Sequence, residues 1–470
     1  MSGTASRSRL WGLLATELAI PLAAVAVVSP AASLAATAGL GFVATAFVDL
    51  AAGVSLFTAL TFFALIPGIG SSFVSVVKLA GAVLLLALGR RQRGKTLLRG
   101  QPLLAWLAIA LGTWAFASTV WATDVSRARA RALTLALTLV LVFVVYAAIG
   151  SPRHVRWLVR GYVAGAVASA LVGLAVPPPG QGDAARLSGG IGDPNELALV
   201  LVPGLAVAVF ALPGARGVLD RWLLGGGAAV IAVAVFKTGS RGGLVALAAA
   251  AVVAIVVGGR LRGHVVAGVL GLAAVGAVYF AFAAPAQVSA RVLSFTSGGG
   301  SGRTDIWAVA SQVAREHPVL GVGIGNFPVV EPSYASRTTN LSQVDYVVNA
   351  PQVVHNSYLE LLAELGVVGL ACFLTLVTAA LSLCWRAVRA FKRSGDAELE
   401  LIARGLLVGL GGMLVASFFL SAEYEKQLWL LVGLCAALGK LAPVGSAIRS
   451  DASDLAPAFP AKPLLDASGS

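Results

Sequence analysis

The sequence predicts an all-α polytopic membrane protein with about 12–14 transmembrane helices and one large outer loop that contains an amphipathic helix. Of its 470 residues, 58% are hydrophobic and only 12% are charged, and the mean hydropathy is +0.88. A water-soluble chain of this length has no use for so much apolar surface. Because lipid offers the backbone no hydrogen-bond partners, apolar runs of about 20 residues favour helices. The alternating strands of a membrane barrel are absent from the sequence.

The apolar runs are separated by short polar or glycine-proline breaks. In order, they lie near 11–29, 32–49, 53–67, 72–89, 102–121, 131–149, 156–176, 195–211, 222–237, 241–258, 264–283, 357–385, 401–421 and 427–441. The first four are crowded, and one hairpin there need not cross the membrane. The first run resembles a signal peptide, but with so many spans behind it we expect an uncleaved first helix.

These runs predict four segments. We expect N-terminal transmembrane helices at 1–283, a large outer loop at 284–356, C-terminal transmembrane helices at 357–442, and a disordered cytoplasmic tail at 443–470 that is rich in Ala, Pro and Ser. The three cysteines lie in apolar runs and indicate neither a disulfide framework nor a metal cluster.

The distribution of basic residues predicts the orientation. With the N-terminus in the cytoplasm, Lys and Arg in the inner connectors outnumber those outside by about two to one. Both termini are then cytoplasmic. The net charge of +13 reflects this topology rather than a nucleic-acid groove, because the basic residues sit in short connectors.

One basic cluster lies on the disfavoured outer side. It comprises Arg127, Arg129 and Arg131, just before an apolar run. An anionic ligand at the outer face would explain the cluster, and an ordinary exception to the charge bias would explain it equally well. Arg127 and Arg131 are therefore candidate substrate contacts.

The outer loop contains its own helix. After the glycine-rich stretch 296–302, Ile306, Val309, Ala310 and Val313 recur at helical spacing between Arg303 and Glu316. Pro318 ends this predicted helix. A long connector with an amphipathic helix of its own is usually functional.

His355 is the candidate catalytic base. It lies at the end of the outer loop, before a helix start that Ser357 and Glu360 mark as a capping box. An imidazole there can be neutral near pH 7 and accept a proton from a hydroxyl. Taken alone, a single histidine more often caps or hydrogen-bonds locally.

Two arginines are candidate anion ligands. Arg241 lies in a tight turn between two predicted helices, and Arg303 opens the helix of the outer loop. A guanidinium pairs bidentately with phosphate and keeps its charge at every relevant pH. The competing interpretations are snorkelling to the headgroups for Arg241 and a plain surface charge for Arg303.

Asp193, Pro194 and Glu196 form a complete helix-start signature, which leaves Asn195 a weaker candidate for a substrate contact. The glycines at 321–325 resemble a dinucleotide loop only loosely, because no strand–helix unit flanks them. No acids or histidines have metal-ligand spacing, so we expect chemistry without a metal or other cofactor.

Four segments occur in an order that resembles the O-antigen ligase and O-antigen polymerase superfamily of bacterial envelope glycosyltransferases. They are Thr-Gly-Ser-Arg-Gly at 238–242, Gly-Arg-x-x-Ile-Trp at 302–307, His-Pro-Val-Leu-Gly-Val-Gly-Ile-Gly-Asn-Phe at 317–327, and His-Asn-Ser-Tyr-Leu-Glu-Leu-Leu-Ala-Glu-Leu-Gly at 355–366. The resemblance covers roughly 190–385.

The resemblance implies a GT-C-like membrane fold in the bacterial inner membrane. It also implies a glycan donor linked to undecaprenyl pyrophosphate, used in lipopolysaccharide and polysaccharide biosynthesis of the cell envelope. On this basis Arg241 and Arg303 would bind the pyrophosphate, and His355 would deprotonate the acceptor hydroxyl.

Three functions fit the sequence. A ligase would join the glycan to lipid A core, and the ordered loop motifs favour this function slightly. A polymerase of the same family would extend the glycan itself. A transporter or flippase, from another class, would be expected to show internal repeats and polar residues along a path, and neither is apparent.

Overall fold

The computed structural model describes residues 30–63, 72–91, 97–176, 186–293, 303–338, 341 and 353–442. The predicted first span at 11–29, the glycine-rich stretch 296–302 and the tail at 443–470 lie outside the described residues. All regular structure in the described part of the chain is helical. The helices are α1 Pro30–Val48, α2 Leu50–Leu60, α3 Ser72–Arg91, α4 Leu97–Gly100, α5 Pro102–Ala117, α6 Val125–Ala148, α7 Pro152–Ala175, α8 Pro194–Ala211, α9 Val218–Arg221, α10 Gly227–Lys237, α11 Arg241–Val257, α12 Arg262–Val278, α13 Ala286–Leu293, α14 Arg303–Glu316, α15 Phe327–Ala335, α16 Ser357–Ser394, α17 Ala397–Ala416 and α18 Lys426–Leu441.

Short 3-10 or π-helical turns extend several of these helices, so the apolar segments are longer than the α-helices alone. Within the described ranges, eight segments are long and apolar enough to cross a membrane. They are Pro102–Val120, Val125–Ala148, Pro152–Ala175, Pro194–Gly214, Val218–Lys237, Gly259–Ala283, Ser357–Ser394 and Ala397–Ala416. Shorter apolar helices lie at Ala35–Val48, Leu50–Leu60 and Arg241–Val257. The prediction of an all-α polytopic membrane protein is confirmed.

The core of the bundle is formed by α8, α17 and α11. Gly405, Gly409 and Gly412 recur on the face of α17 that meets its neighbours. A Cβ at Gly409 would lie 3.0 Å from the backbone of Pro203 in α8, and one at Gly412 would lie 2.9 Å from the Cβ of Ala250 in α11. Small residues at this spacing let helix backbones approach closely in lipid, where dispersion contacts drive association.

The helix of the outer loop forms where the sequence predicts it. Helix α14 spans Arg303–Glu316, and Ile306, Val309, Ala310 and Val313 are all buried. They form a second, smaller apolar core with residues of α15 and with Val354. The segment that precedes α16 is thereby attached to the loop.

Two predicted helix starts were wrong. The span predicted at 131–149 begins at Val125, because Asp124 caps it by accepting from the amide of Arg127 at 2.9 Å. Arg127 and Arg131 therefore project from a helix rather than from a connector. At α16 the N-cap is Asn356 rather than Ser357, since Asn356 Oδ1 accepts from the amides of Tyr358 and Leu359, each at 3.1 Å.

Candidate active site

His355 has an unusual backbone conformation. Within the described residues it is the non-glycine residue with a positive φ, at 53°. Both of its neighbours are held: Trp307 Nε1 donates to the carbonyl of Val354 at 3.0 Å, and Asn356 caps α16. The αL conformation costs a non-glycine residue on the order of 1–2 kcal/mol. The surrounding bonds impose it, as is common at functional sites.

The surroundings of His355 favour the neutral imidazole. Burial lowers its pKa below the usual value, and the positive charge of Arg303 lowers the pKa further. The carboxylate of Asp193 acts in the opposite direction. Because the ordinary pKa of histidine is about 6.5, a lowered value leaves the ring neutral at pH 7 and able to accept a proton.

The turn that contains Arg241 packs against α13. Ser240 caps α11 by accepting from the amide of Gly243 at 3.1 Å, and Arg241 is the first residue of that helix. The Nε of Arg241 donates to the carbonyl of Arg291 at 2.6 Å. This bond fixes the direction of the side chain, with the remaining guanidinium nitrogens at its far end.

Asn195 connects this turn to the start of α8. Its Oδ1 accepts from Ser240 Oγ at 2.9 Å and from Arg186 Nη2 at 2.8 Å. Arg186 is buried and also donates through Nε to the carbonyl of Thr238 at 2.8 Å. The predicted N-cap at Asp193 is confirmed, because it accepts from the amides of Asn195 and Glu196. Asp193 also acts electrostatically on His355, so the start of α8, which includes Asn195, lies near the His355 turn.

Arg127 and Arg131 contact the glycine segment at 321–325. The Nε of Arg127 donates to the carbonyl of Gly325 at 2.7 Å. The guanidinium of Arg131 lies 5.0 Å from the ring centroid of Tyr424, a cation–π contact. Both side chains therefore have protein partners, and the prediction that they touch substrate stays a prediction.

The glycine segment itself is attached to α16. Glu364 accepts from the amides of Gly325 at 2.6 Å and Phe327 at 3.1 Å. The amides of Val322 and Gly323 donate to carbonyls of α16, which is kinked at Gly366. The segment thus has a packing role.

One end of the bundle therefore carries all six candidate residues, and we call it the loop end. His355 and Arg303 lie within electrostatic range of each other, and hydrogen bonds join Asn195 to the turn of Arg241. Arg127 and Arg131 approach the same end through the glycine segment.

Part of the chain, including part of this end of the bundle, matches a known protein family. Residues 226–374 match the family model described as O-Antigen ligase. This segment is similar to the O-antigen ligase family. The match covers about a third of the chain, and no curated protein matches the sequence. The resemblance predicted from the four motifs is confirmed, and a membrane glycosyltransferase of the ligase or polymerase type is supported.

The matched segment contains three of the candidate residues, Arg241, Arg303 and His355. The other candidates, Arg127, Arg131 and Asn195, precede it. Within the described residues, no group of three His, Cys, Asp or Glu side chains could hold a metal ion. The expectation of metal-independent chemistry stays a prediction.

Several buried polar residues at the loop end were not predicted from the sequence. Arg186 was overlooked, although a basic residue on the predicted outer side is the same signal that singled out Arg127. The buried carboxyl groups of Glu360, Glu364 and Glu423 were also missed. Acids within or beside an apolar run are costly in a membrane protein and could have drawn attention.

Proposed function

We propose that this chain is a membrane glycosyltransferase of the bacterial inner membrane that moves a glycan from an undecaprenyl-pyrophosphate-linked donor to an acceptor hydroxyl, in the manner of an O-antigen ligase. The observation that carries the proposal is the position of His355, which is held in a fixed turn beside Arg303 at the loop end, where burial and the charge of Arg303 lower the pKa of its imidazole. The similarity of residues 226–374 to the O-antigen ligase family supports the reaction class.

The chemistry needs one base and one anion site. His355 accepts the proton of the acceptor hydroxyl while that oxygen attacks the anomeric carbon of the donor sugar. The bond between this carbon and the pyrophosphate oxygen breaks, and undecaprenyl pyrophosphate leaves with the bonding electrons. A positioned base contributes about 10²–10⁴-fold to such a step. Direct displacement inverts the configuration at the anomeric carbon.

Arg241 and Arg303 are assigned to the pyrophosphate. Negative charge grows on the leaving group as the bond breaks, and guanidinium groups held in place stabilise it without reorganisation. The bond from Arg241 to the Arg291 carbonyl restricts the Arg241 side chain, and Arg303 lies at the start of α14. The positive end of the α14 dipole adds to the attraction for an anion.

Glycan transfer by the purified protein in lipid nanodiscs tests the proposal. The protein is given an oligosaccharide on undecaprenyl pyrophosphate, with and without lipid A core, and the products are separated by size. Glycan on the core alone indicates a ligase, and a ladder of longer lipid-linked chains indicates a polymerase. If the folded protein leaves an intact donor unchanged in both reactions, the proposed function is wrong.

A further inference from the structure

Three carboxyl groups are buried together at the loop end. Glu360 and Glu364 lie on successive turns of α16, and Glu423 lies in the connector between α17 and α18. Their exposed fractions are 4%, 2% and 1%. The proposed reaction uses none of them directly, and Glu364 is already engaged with the glycine segment. The other two remain to be explained.

Glu360 binds the residue that precedes His355. Its carboxylate accepts from the amide of Val354 and from the hydroxyl of Ser421. The carbonyl of the same Val354 accepts from Trp307 Nε1. Both polar groups of the Val354 backbone are thus bound, one from α16 and one from α14. His355, with its φ of 53°, directly follows this residue, whose amide and carbonyl are both bound.

Glu423 is the neighbour of Glu360, and the hydroxyl of Ser357 and its own backbone amide lie near its carboxyl group. Within the described residues, no N–H or hydroxyl donor has hydrogen-bond geometry to either of its carboxyl oxygens. The hydroxyl of Ser357 donates to the carbonyl of Leu420 instead, at 2.9 Å. Burial raises the pKa of Glu423 well above its usual value, and the charge of Glu360 raises the pKa further. A neutral Glu423 has a proton to donate, and Glu360 lies beside it to accept.

The surrounding charges agree with one proton on this pair. Arg131 from α6 attracts Glu360 and Glu364, and the ring of Tyr424 lies against its guanidinium. Three ionised carboxylates around one arginine would repel each other in a buried site. Glu364 has two backbone amides as donors and Glu360 has an amide and a hydroxyl, so Glu423 is the group that keeps the proton.

We propose that Glu360, ionised and hydrogen-bonded by a protonated Glu423, is a positioning residue that holds the His355 turn in its catalytic geometry. This inference rests on the proposed function of His355 as the base. Neither carboxyl is assigned a contact with substrate. Glu360 acts through the Val354 amide, and Glu423 acts through Glu360. A misplacement of a catalytic group by about 1 Å can cost about 10²-fold in rate, so such a clamp has a measurable effect.

The two carboxyls differ in what can replace them. Glu360 accepts from three donors with two oxygens, whereas a glutamine has one acceptor oxygen and would turn an amide towards another donor. Glu423 acts as a donor, and the amide of a glutamine can donate in its place. We expect E423A to lower kcat by about 10²-fold and E423Q to restore most of it, whereas E360Q keeps a loss of about 10²-fold with donor KM unchanged.

The NMR resonance of the His355 ring tests the same proposal independently of glycan transfer. The protein is labelled on histidine with ¹³C and ¹⁵N in nanodiscs, and the His355 resonance is assigned by its loss in His355→Asn. We expect E360Q to shift or broaden it while the His317 resonance is unchanged. The control is E331Q, which alters a buried carboxyl of α15 and should leave kcat and the His355 resonance as in the wild type.

The outcomes separate the two proposals. If E360Q keeps both kcat and the His355 resonance, the positioning role is wrong. If E423Q is as damaging as E423A while E360Q is tolerated, the proton assignment is reversed and the proposal fails. If the wild-type protein transfers no glycan but E360Q still moves the His355 resonance, the proposed function fails while the clamp on His355 stands.

Discussion

The indole nitrogen of Trp307 donates to the carbonyl of Val354 across 3.0 Å and so joins the helix of the outer loop to the turn that presents His355. Trp307 is also 6.4 Å from Phe419, measured between ring centroids, which places it between the loop and the connector after α17. Trp307 and Val354 are 47 positions apart in sequence.

Trp307→Phe should weaken the turn while keeping its apolar packing. The variant leaves the Val354 carbonyl without its donor, which costs about 1–3 kcal/mol when the group is buried. We expect a lower temperature of thermal unfolding and a lower kcat for glycan transfer. The control is Trp106→Phe, since Trp106 is 60% exposed on the surface of α5. Equal effects of the two substitutions would contradict a specific role for Trp307.

His355→Asn should abolish transfer and spare the fold. Asparagine tolerates the αL conformation better than most residues, so the backbone at φ 53° can persist. It cannot accept and hold the hydroxyl proton, and we expect kcat to fall by about 10²–10⁴-fold. Circular dichroism and thermal unfolding report the fold. Full activity in this variant would exclude His355 as the base.

The pH dependence of transfer should report the lowered pKa of His355. The neutral ring is the active form, so kcat/KM rises with pH and reaches a plateau above the pKa of His355 in the folded protein. Because burial and Arg303 lower that pKa, the midpoint should lie below the usual value of about 6.5. We expect Arg303→Gln to move the midpoint to higher pH and to lower the plateau, since one positive charge is removed from both the histidine and the pyrophosphate.

The control for that measurement is Arg315→Gln, at the exposed end of the same helix. It removes the same charge from α14 but lies about three turns away from Arg303. We expect its midpoint and plateau to match those of the wild type. A shift of the midpoint in Arg315→Gln as large as that in Arg303→Gln would show that overall charge, rather than Arg303, sets the pKa of His355.

Gly325→Ala should detach the glycine segment from α6. Gly325 has φ 71°, and an added Cβ would overlap the Cγ of Arg131. Gly395 has a similar φ of 77° but has nothing within 4 Å of such a Cβ, so Gly395→Ala measures the backbone strain alone. That strain is on the order of 1–2 kcal/mol. We expect the larger loss of thermal stability in Gly325→Ala, and equal losses would mean that the contact with Arg131 is unimportant.

Local patterns in the sequence determined the class of protein and several of its elements. Apolar run length predicted a polytopic helical membrane protein, and the spacing of Ile306, Val309 and Val313 predicted the buried face of α14. The helix start at Asp193 and the ligase resemblance were also predicted correctly. These features depend on residues within a few turns of one another, or on motifs whose order is preserved along the chain.

Only the tertiary structure decided how the site is held. The cap at Asn356 displaced the predicted capping box because Ser357 is hydrogen-bonded to the connector after α17, some 60 residues away. The bonds from Trp307 and Glu360 to Val354 likewise join separate elements. Helical periodicity indicates which face of a helix is buried but not which neighbouring helix packs against that face. The partners of a buried polar group are therefore fixed by packing, where every donor and acceptor excluded from water must find a match.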